Sequence, residues 1–186
     1  MKKFFILSAI ASLFGSLFSC SAGKTQEKES VERDSTFTSL VQPEWSRNAV
    51  IYEVNWRQMT TEGTVTALEN QLPRLKDLGV DILWLMPVHP ISELNRKGEL
   101  GSYYAVQNYK DVNPELGSLD QFKAFVAKAH ELGFKVIIDW VPNHTGCDNV
   151  WVKEHPEYYA LNEEGKMFGP FDWTDTYKLD YSKPET

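Results

Sequence analysis

The sequence predicts an α/β protein built on a parallel sheet. Three observations carry that reading. A unit of helix, glycine and buried strand occurs twice, as "RLKDLGVDILWLMP" and "KAHELGFKVIIDWV". A further strand precedes the first unit, so the order is strand, helix, strand, helix, strand, the pattern of parallel βαβ pairing. The links leaving strands are long, whereas those leaving helices are only a few residues.

The first element lies outside the fold. "MKKFFILSAIASLFGSLFSC" has Lys2 and Lys3, then an apolar stretch, then small residues before Cys20. That is the order of an export signal, and the apolar part is too short and interrupted for a membrane span. The ending "LFSC" resembles a bacterial lipobox, so residues 1–20 are expected to be a lipoprotein signal with Cys20 as the lipid anchor. Phe18 is bulkier than the usual residue there, and a plain secretory cut near Ser19 or Ala22 is the alternative. The expected localisation is an exported, membrane-anchored lipoprotein, held by lipid alone. Residues 21–42 are polar and charged and read as a flexible tether.

The domain begins near Pro43. Ala49 to Val54 is a β-branched and aromatic run, a strand. Val65, Leu68, Leu72, Leu75 and Leu78 recur at helical spacing, with Thr64 or Thr66 able to cap the start. Pro73 should kink or restart that helix, and Gly79 should end it in the left-handed conformation. "VDILWLMP" is the next strand. Ser118 and Gln121 form a capping-box pattern, Phe122, Phe125, Val126 and Ala129 form an apolar helical face, and Gly133 closes it. The third strand is "KVIIDWV", stopped at Pro142.

The link from Pro87 to Gly117 is about thirty residues, a length usually reserved for function or disorder. It is not of low complexity, since it holds His89, Asn95, Tyr103, Tyr104, Asn108 and Tyr109. Long links at the C-terminal ends of strands are how TIM barrels and doubly wound sheets build sites. No G-x-G-x-x-G follows a strand, which argues against a dinucleotide sheet.

Composition narrows the ligand. A formal net charge of -7 argues against nucleic acid, which wants a basic surface. The six Trp and eight Tyr fill a core or offer flat platforms to sugar faces. The two cysteines, Cys20 and Cys147, do not make a disulfide framework if Cys20 is lipidated.

From Trp45 to Glu185 the chain resembles the N-terminal part of the alpha-amylase family, glycoside hydrolase family 13. "AVIYEVNWRQ", "LPRLKDLGVDILWLMPVHPI" and "GSYYAVQNYKDVNPELGSLDQFKAFVAKAHELGFKVIIDWVPNHT" resemble its early strands, helices and loops in order. Asp139, Asn143 and His144 resemble one of its short signature regions, and "LDYSKPE" resembles the segment before its fourth strand. The resemblance implies a partial (β/α)8 TIM barrel, its first three βα units, at residues 43–144. Residues 145–186 are then the start of the small domain inserted after strand three.

The resemblance also implies roles. Tyr104 stacks under the sugar at the bond-cleaving subsite, and His144 hydrogen-bonds that sugar's primary hydroxyl. Asp139 positions the active-site floor by pairing with an arginine on strand four, and a strand-end Asp bonded to backbone is the plainer alternative. Asn143 is a calcium ligand in many members. Here Lys178 stands where a second, acidic ligand is often found, and its ammonium would repel the ion, so no metal is expected. Trp151, Tyr158, Tyr159, Phe168, Phe171 and Trp173 suit an aromatic lobe over the cleft, mostly as its own core.

The implied activity is retaining hydrolysis of α-1,4-glucans such as starch or maltodextrin. Retaining glycosidases need two carboxyl groups roughly 5 Å apart. The family draws its nucleophile, acid and third Asp from later strands, so no catalytic residue is assigned here. The expectation is the front portion of a longer enzyme, inactive and poorly soluble alone. The rival reading is a lipid-anchored glycan-binding protein without chemistry. Within the enzyme class, cyclodextrin, α-1,6 bonds or trehalose are alternative substrates.

Overall fold

The computed structural model describes residues 41–186. The signal segment, Cys20 and all but the end of the tether lie outside the described residues. A parallel three-stranded sheet is formed by β1 (Ile51–Val54), β2 (Ile82–Leu85) and β3 (Lys135–Ile138), in the order β1-β2-β3. Between the first two strands run α1 (Trp56–Met59), α2 (Val65–Glu69) and α3 (Leu72–Asp77). A single helix, α4 (Leu119–Glu131), lies between β2 and β3. After β3 come β4 (His144–Gly146), α5 (Trp151–Glu154) and β5 (Thr176–Lys178), with β4 and β5 antiparallel.

Strand alternation gives the sheet two unlike faces. Val54 and Leu85 are register partners, and with Leu83 they are wholly buried against the helices. Val65, Leu68, Leu72, Leu75, Phe125 and Ala129 cover them from the helical side. Fully burying each Leu, Val or Phe contributes about 1.5–3 kcal/mol. The other face carries Ile51, Glu53, Trp84 and Ile137. Trp84 and Ile137 are 37% and 45% exposed, so this face is open to solvent among the described residues. Parallel sheets are normally covered on both faces.

Of the two outcomes expected at Pro73, a kink or a restart, the helical run of residues 64–79 takes the restart. Thr64 caps α2 through a bond from the Ala67 amide, and the break falls at Asn70 and Gln71. Pro73 sits in the first turn of α3, where its missing N–H costs nothing, so it restarts the helix. The offset takes Leu78 off the apolar face, and Leu78 is exposed. The capping box forms as expected, with Ser118 accepting from the Gln121 amide and Gln121 accepting from the Ser118 amide. Gly79 and Gly133 both hold positive φ at helix ends, at 87° and 85°.

The long link after β2 has almost no regular structure, but it is pinned. The Arg57 guanidinium donates to the carbonyls of Leu100 (2.7 Å) and Gly101 (3.0 Å) and lies over the Tyr103 ring. Arg96 donates to the carbonyls of Ile91 and Ser92. At Gly101 (φ 68°) a Cβ would come within 2.8 Å of Ile91, so both conformation and space require glycine. The Tyr109 hydroxyl bonds to the Val141 (2.6 Å) and His144 (3.1 Å) carbonyls, tying the link to the segment after β3.

Candidate functional site

The site forms where the β2–α4 link meets the residues around β4 and β5. Asp139 follows the last residue of β3 and is held there by its amide, which donates to the Leu85 carbonyl at 2.8 Å. Its carboxylate accepts a bond of 2.9 Å from the Tyr104 hydroxyl. Burial, then the bond to Asp139 and its negative charge, push the Tyr104 phenol up to about 12. The phenol therefore stays protonated and keeps donating across the neutral range. The expected arginine partner of Asp139 is not among the described residues, and nearby backbone does not take the carboxylate either. The Tyr104 partnership leaves no trace in the sequence, because a contact across 35 residues imposes no local pattern.

His144 begins β4 and is buried. Its ring meets Trp173 edge-on, with centroids 5.2 Å apart. The Asn143 amide lies 3.0 Å from His144 Nδ1. With the amide nitrogen donating, Nδ1 accepts and the ring proton sits on Nε2. Burial lowers the His144 pKa, only partly offset by the Tyr104 backbone and the charge of Asp175. The imidazole is thus neutral at pH 7, with Nδ1 occupied by Asn143 and the Nε2–H left as a donor, which suits an uncharged oxygen acceptor.

Tyr104, His144, Trp173, Ser102, Lys97 and Asp175 line one cavity of about 310 Å³. That lies at the lower end of the ~300–1,000 Å³ typical of small-ligand pockets. A larger groove of about 470 Å³ lies over α1 and α2, lined by residues such as Thr60, Glu62 and Gln71. It has no aromatic wall and no histidine, so the smaller cavity is the better fit for a flat polyol.

The aromatic residues after β4 divide. Tyr159 is wholly buried and its hydroxyl bonds Thr145 Oγ1 at 2.9 Å, so it is core. Trp151 stacks on Tyr109 and meets Tyr158 edge-on. Phe168, Phe171 and Trp173 are exposed, which corrects the expectation that the set is mostly core. Trp173 instead forms a cavity wall. Neither Lys97 nor Asp175 was singled out by the sequence, and no local signal marks them.

Asn143 turns its amide to His144, and Lys178 lies across the β4–β5 ladder from His144. Among the described residues no three His, Cys, Asp or Glu side chains are grouped to share an ion. A hard cation wants six to eight oxygen ligands.

Comparison with known proteins decides the family. The family model "Alpha amylase, catalytic domain" matches residues 18–184. The chain belongs to the alpha-amylase family. An α-1,4-glucan:maltose-1-phosphate maltosyltransferase from Rhodospirillum rubrum is 35% identical over 69% of this chain and 21% of that protein. A trehalose synthase from Pimelobacter is 37% identical, over 74% of this chain and 23% of that protein. Among solved structures, an alpha-amylase from Lactobacillus plantarum superposes with a TM-score of 0.73 at 47% identity. That likeness covers 75% of this chain and 33% of that amylase. A maltogenic alpha-amylase from Thermotoga neapolitana gives 0.69 at 40%. The three-stranded parallel sheet is therefore the N-terminal part of an alpha-amylase TIM barrel, and the chain spans about a fifth to a third of these relatives' length. Relatives in this family act on α-glucans and related oligosaccharides, as maltosyltransferase, oligo-1,6-glucosidase and trehalose synthase.

Proposed function

We propose that this chain supplies the sugar-binding wall of a retaining glycosidase acting on α-1,4-glucans such as maltodextrin. The observation that carries the reading is one cavity holding an aromatic platform, Tyr104, and a neutral imidazole, His144, beside Trp173. Tyr104 offers its face to the apolar side of a glucose ring. Asp139 holds its hydroxyl and so fixes the ring's tilt. His144 meets a sugar hydroxyl, with Asn143 setting its orientation.

Bond cleavage with retention needs a nucleophilic carboxylate and an acid/base partner at roughly 5 Å. We assign neither to residues 41–186, and the expected result for the chain alone is binding without turnover. Calorimetry with maltotriose, alongside reducing-sugar release from starch, tests both parts. Saturable binding with no turnover supports the reading. Absence of binding overturns the sugar-binding wall, and sustained hydrolysis overturns the assignment of chemistry elsewhere.

The chemistry of the donor set supports a site without calcium at Asn143, and finding about one calcium per purified chain would overturn that. Lys2, Lys3, the apolar run and Cys20 support an exported, lipid-anchored protein. Membrane-fraction labelling with a radioactive fatty acid, lost in Cys20→Ala, is the matching test.

A further inference from the structure

The cavity brings together two charged side chains from distant parts of the chain. Lys97 lies in the link after β2 and Asp175 immediately before β5. The Lys97 ammonium stands 3.0 Å from Asp175 Oδ1. The carboxylate side chain is 6% exposed and the ammonium side chain 51%. Both line the same cavity as Tyr104, His144 and Trp173, and its other lining side chains carry no charge at neutral pH.

The pair has two consequences for what the cavity accepts. An ammonium has three N–H donors and a carboxylate about four acceptor positions, so one mutual bond leaves both with spare capacity. Adjacent ring hydroxyls of a sugar each donate and accept. A coupled donor and acceptor therefore match a neutral diol, through bonds strengthened by the charges. A phosphate monoester brings about -1.5 to -2 charge at pH 7. To reach Lys97 it must displace or confront the Asp175 carboxylate, on a chain whose net charge is already -7. The buried Asp175 has little solvent to turn to if its ammonium is taken away.

Both substrate classes occur among family members, since the Rhodospirillum rubrum relative is a maltose-1-phosphate maltosyltransferase. We propose that the Lys97–Asp175 pair is a specificity determinant of this cavity, binding a neutral sugar diol and rejecting phosphorylated sugars. This rests on the glucan reading above and narrows it to uncharged substrates. Asp175 acts by cancelling the positive charge that would otherwise recruit phosphate.

The test is calorimetric titration of the full chain with maltose and with maltose 1-phosphate at neutral pH and fixed salt. The wild-type chain is expected to favour maltose by about tenfold or more. Asp175→Asn keeps the shape but frees the ammonium, and should move the ratio towards the phosphate by on the order of tenfold. Lys97→Met changes a half-exposed residue and should weaken maltose several-fold while leaving the phosphate rejected; it carries the test if Asp175→Asn does not fold. Equal or tighter binding of the phosphate by the wild type overturns the proposal. So does an unchanged ratio in folded Asp175→Asn, or undiminished maltose affinity in Lys97→Met. Failure of the wild type to bind either sugar instead removes the glucan reading, and the proposal with it.

Discussion

The sheet with its helices and the segment after β3 are held together by different physics. The first is an apolar core: Leu72, Leu75, Leu83, Leu85 and Phe125 have no exposed surface. The second has one wholly buried large side chain, Tyr159, and otherwise leans on directed contacts. Thr145 meets Tyr159, Asn149 donates to the Val106 carbonyl at 2.9 Å, and Lys97 meets Asp175. The cavity lies against the second region. The core fixes where β3 ends, and polar contacts then place the side chains that line the cavity. Damage to the core should therefore appear as lost stability, and damage around the cavity as lost binding.

The largest effect should follow Phe125→Ala. Phe125 is fully buried and packs edge-on against Trp56 at 6.5 Å between centroids. Emptying that volume should cost about 3–5 kcal/mol, a large share of the ~5–15 kcal/mol that holds a domain folded. Urea denaturation followed by circular dichroism reads it directly. A loss no larger than that of a surface change would break the contrast between the two regions.

A middle effect should come from Tyr159→Phe, which removes a buried hydroxyl but no volume. Thr145 Oγ1 still donates to the Gly146 carbonyl at 3.0 Å, so the loss should be about 1 kcal/mol in the same assay. Trp173→Ala sharpens the contrast from the other side. Its stability loss should stay below that of Phe125→Ala, because the ring is partly exposed and touches only His144 and Phe171 among aromatic neighbours. Maltotriose affinity should still fall by on the order of tenfold, since one aromatic wall of the cavity is gone.

The smallest effect is a pH dependence. Burial depresses the His144 pKa below its ordinary value of 6.5. As pH falls through about 6.5 the unfolded imidazole takes a proton before the folded one does, so stability falls with pH there. His89, also depressed by burial, adds to the same slope. Urea midpoints measured from neutral to mildly acidic pH should decline, and His144→Asn should flatten part of that decline. A wild-type midpoint that rises on acidification would contradict a depressed His144 pKa.

The same division governs what the sequence reveals. The repeated helix–glycine–strand unit, the Ser118 capping box and the glycine stops at Gly79 and Gly133 are local and periodic. All three reappear in the structure. The break at Asn70 is less legible because Pro73 is compatible with either a kink or a restart. The site is legible only through family resemblance at Tyr104, Asp139, Asn143 and His144. Its polar pairings join residues far apart in the chain, and such contacts impose no spacing on either partner. That is why the sequence does not single out Trp173 from the other aromatics of its segment, and does not mark Lys97 or Asp175.

The cavity walled by Tyr104, His144 and Trp173 is the proposed meeting place of this chain and a glucan. Titration of isotope-labelled chain with maltotriose, followed by amide and aromatic NMR shifts, tests it most directly. Saturable shifts should centre on Tyr104, Asp139, His144 and Trp173 and be lost in Tyr104→Ala. Shifts confined to the groove around Thr60 and Gln71, or no saturable shifts at all, would contradict it.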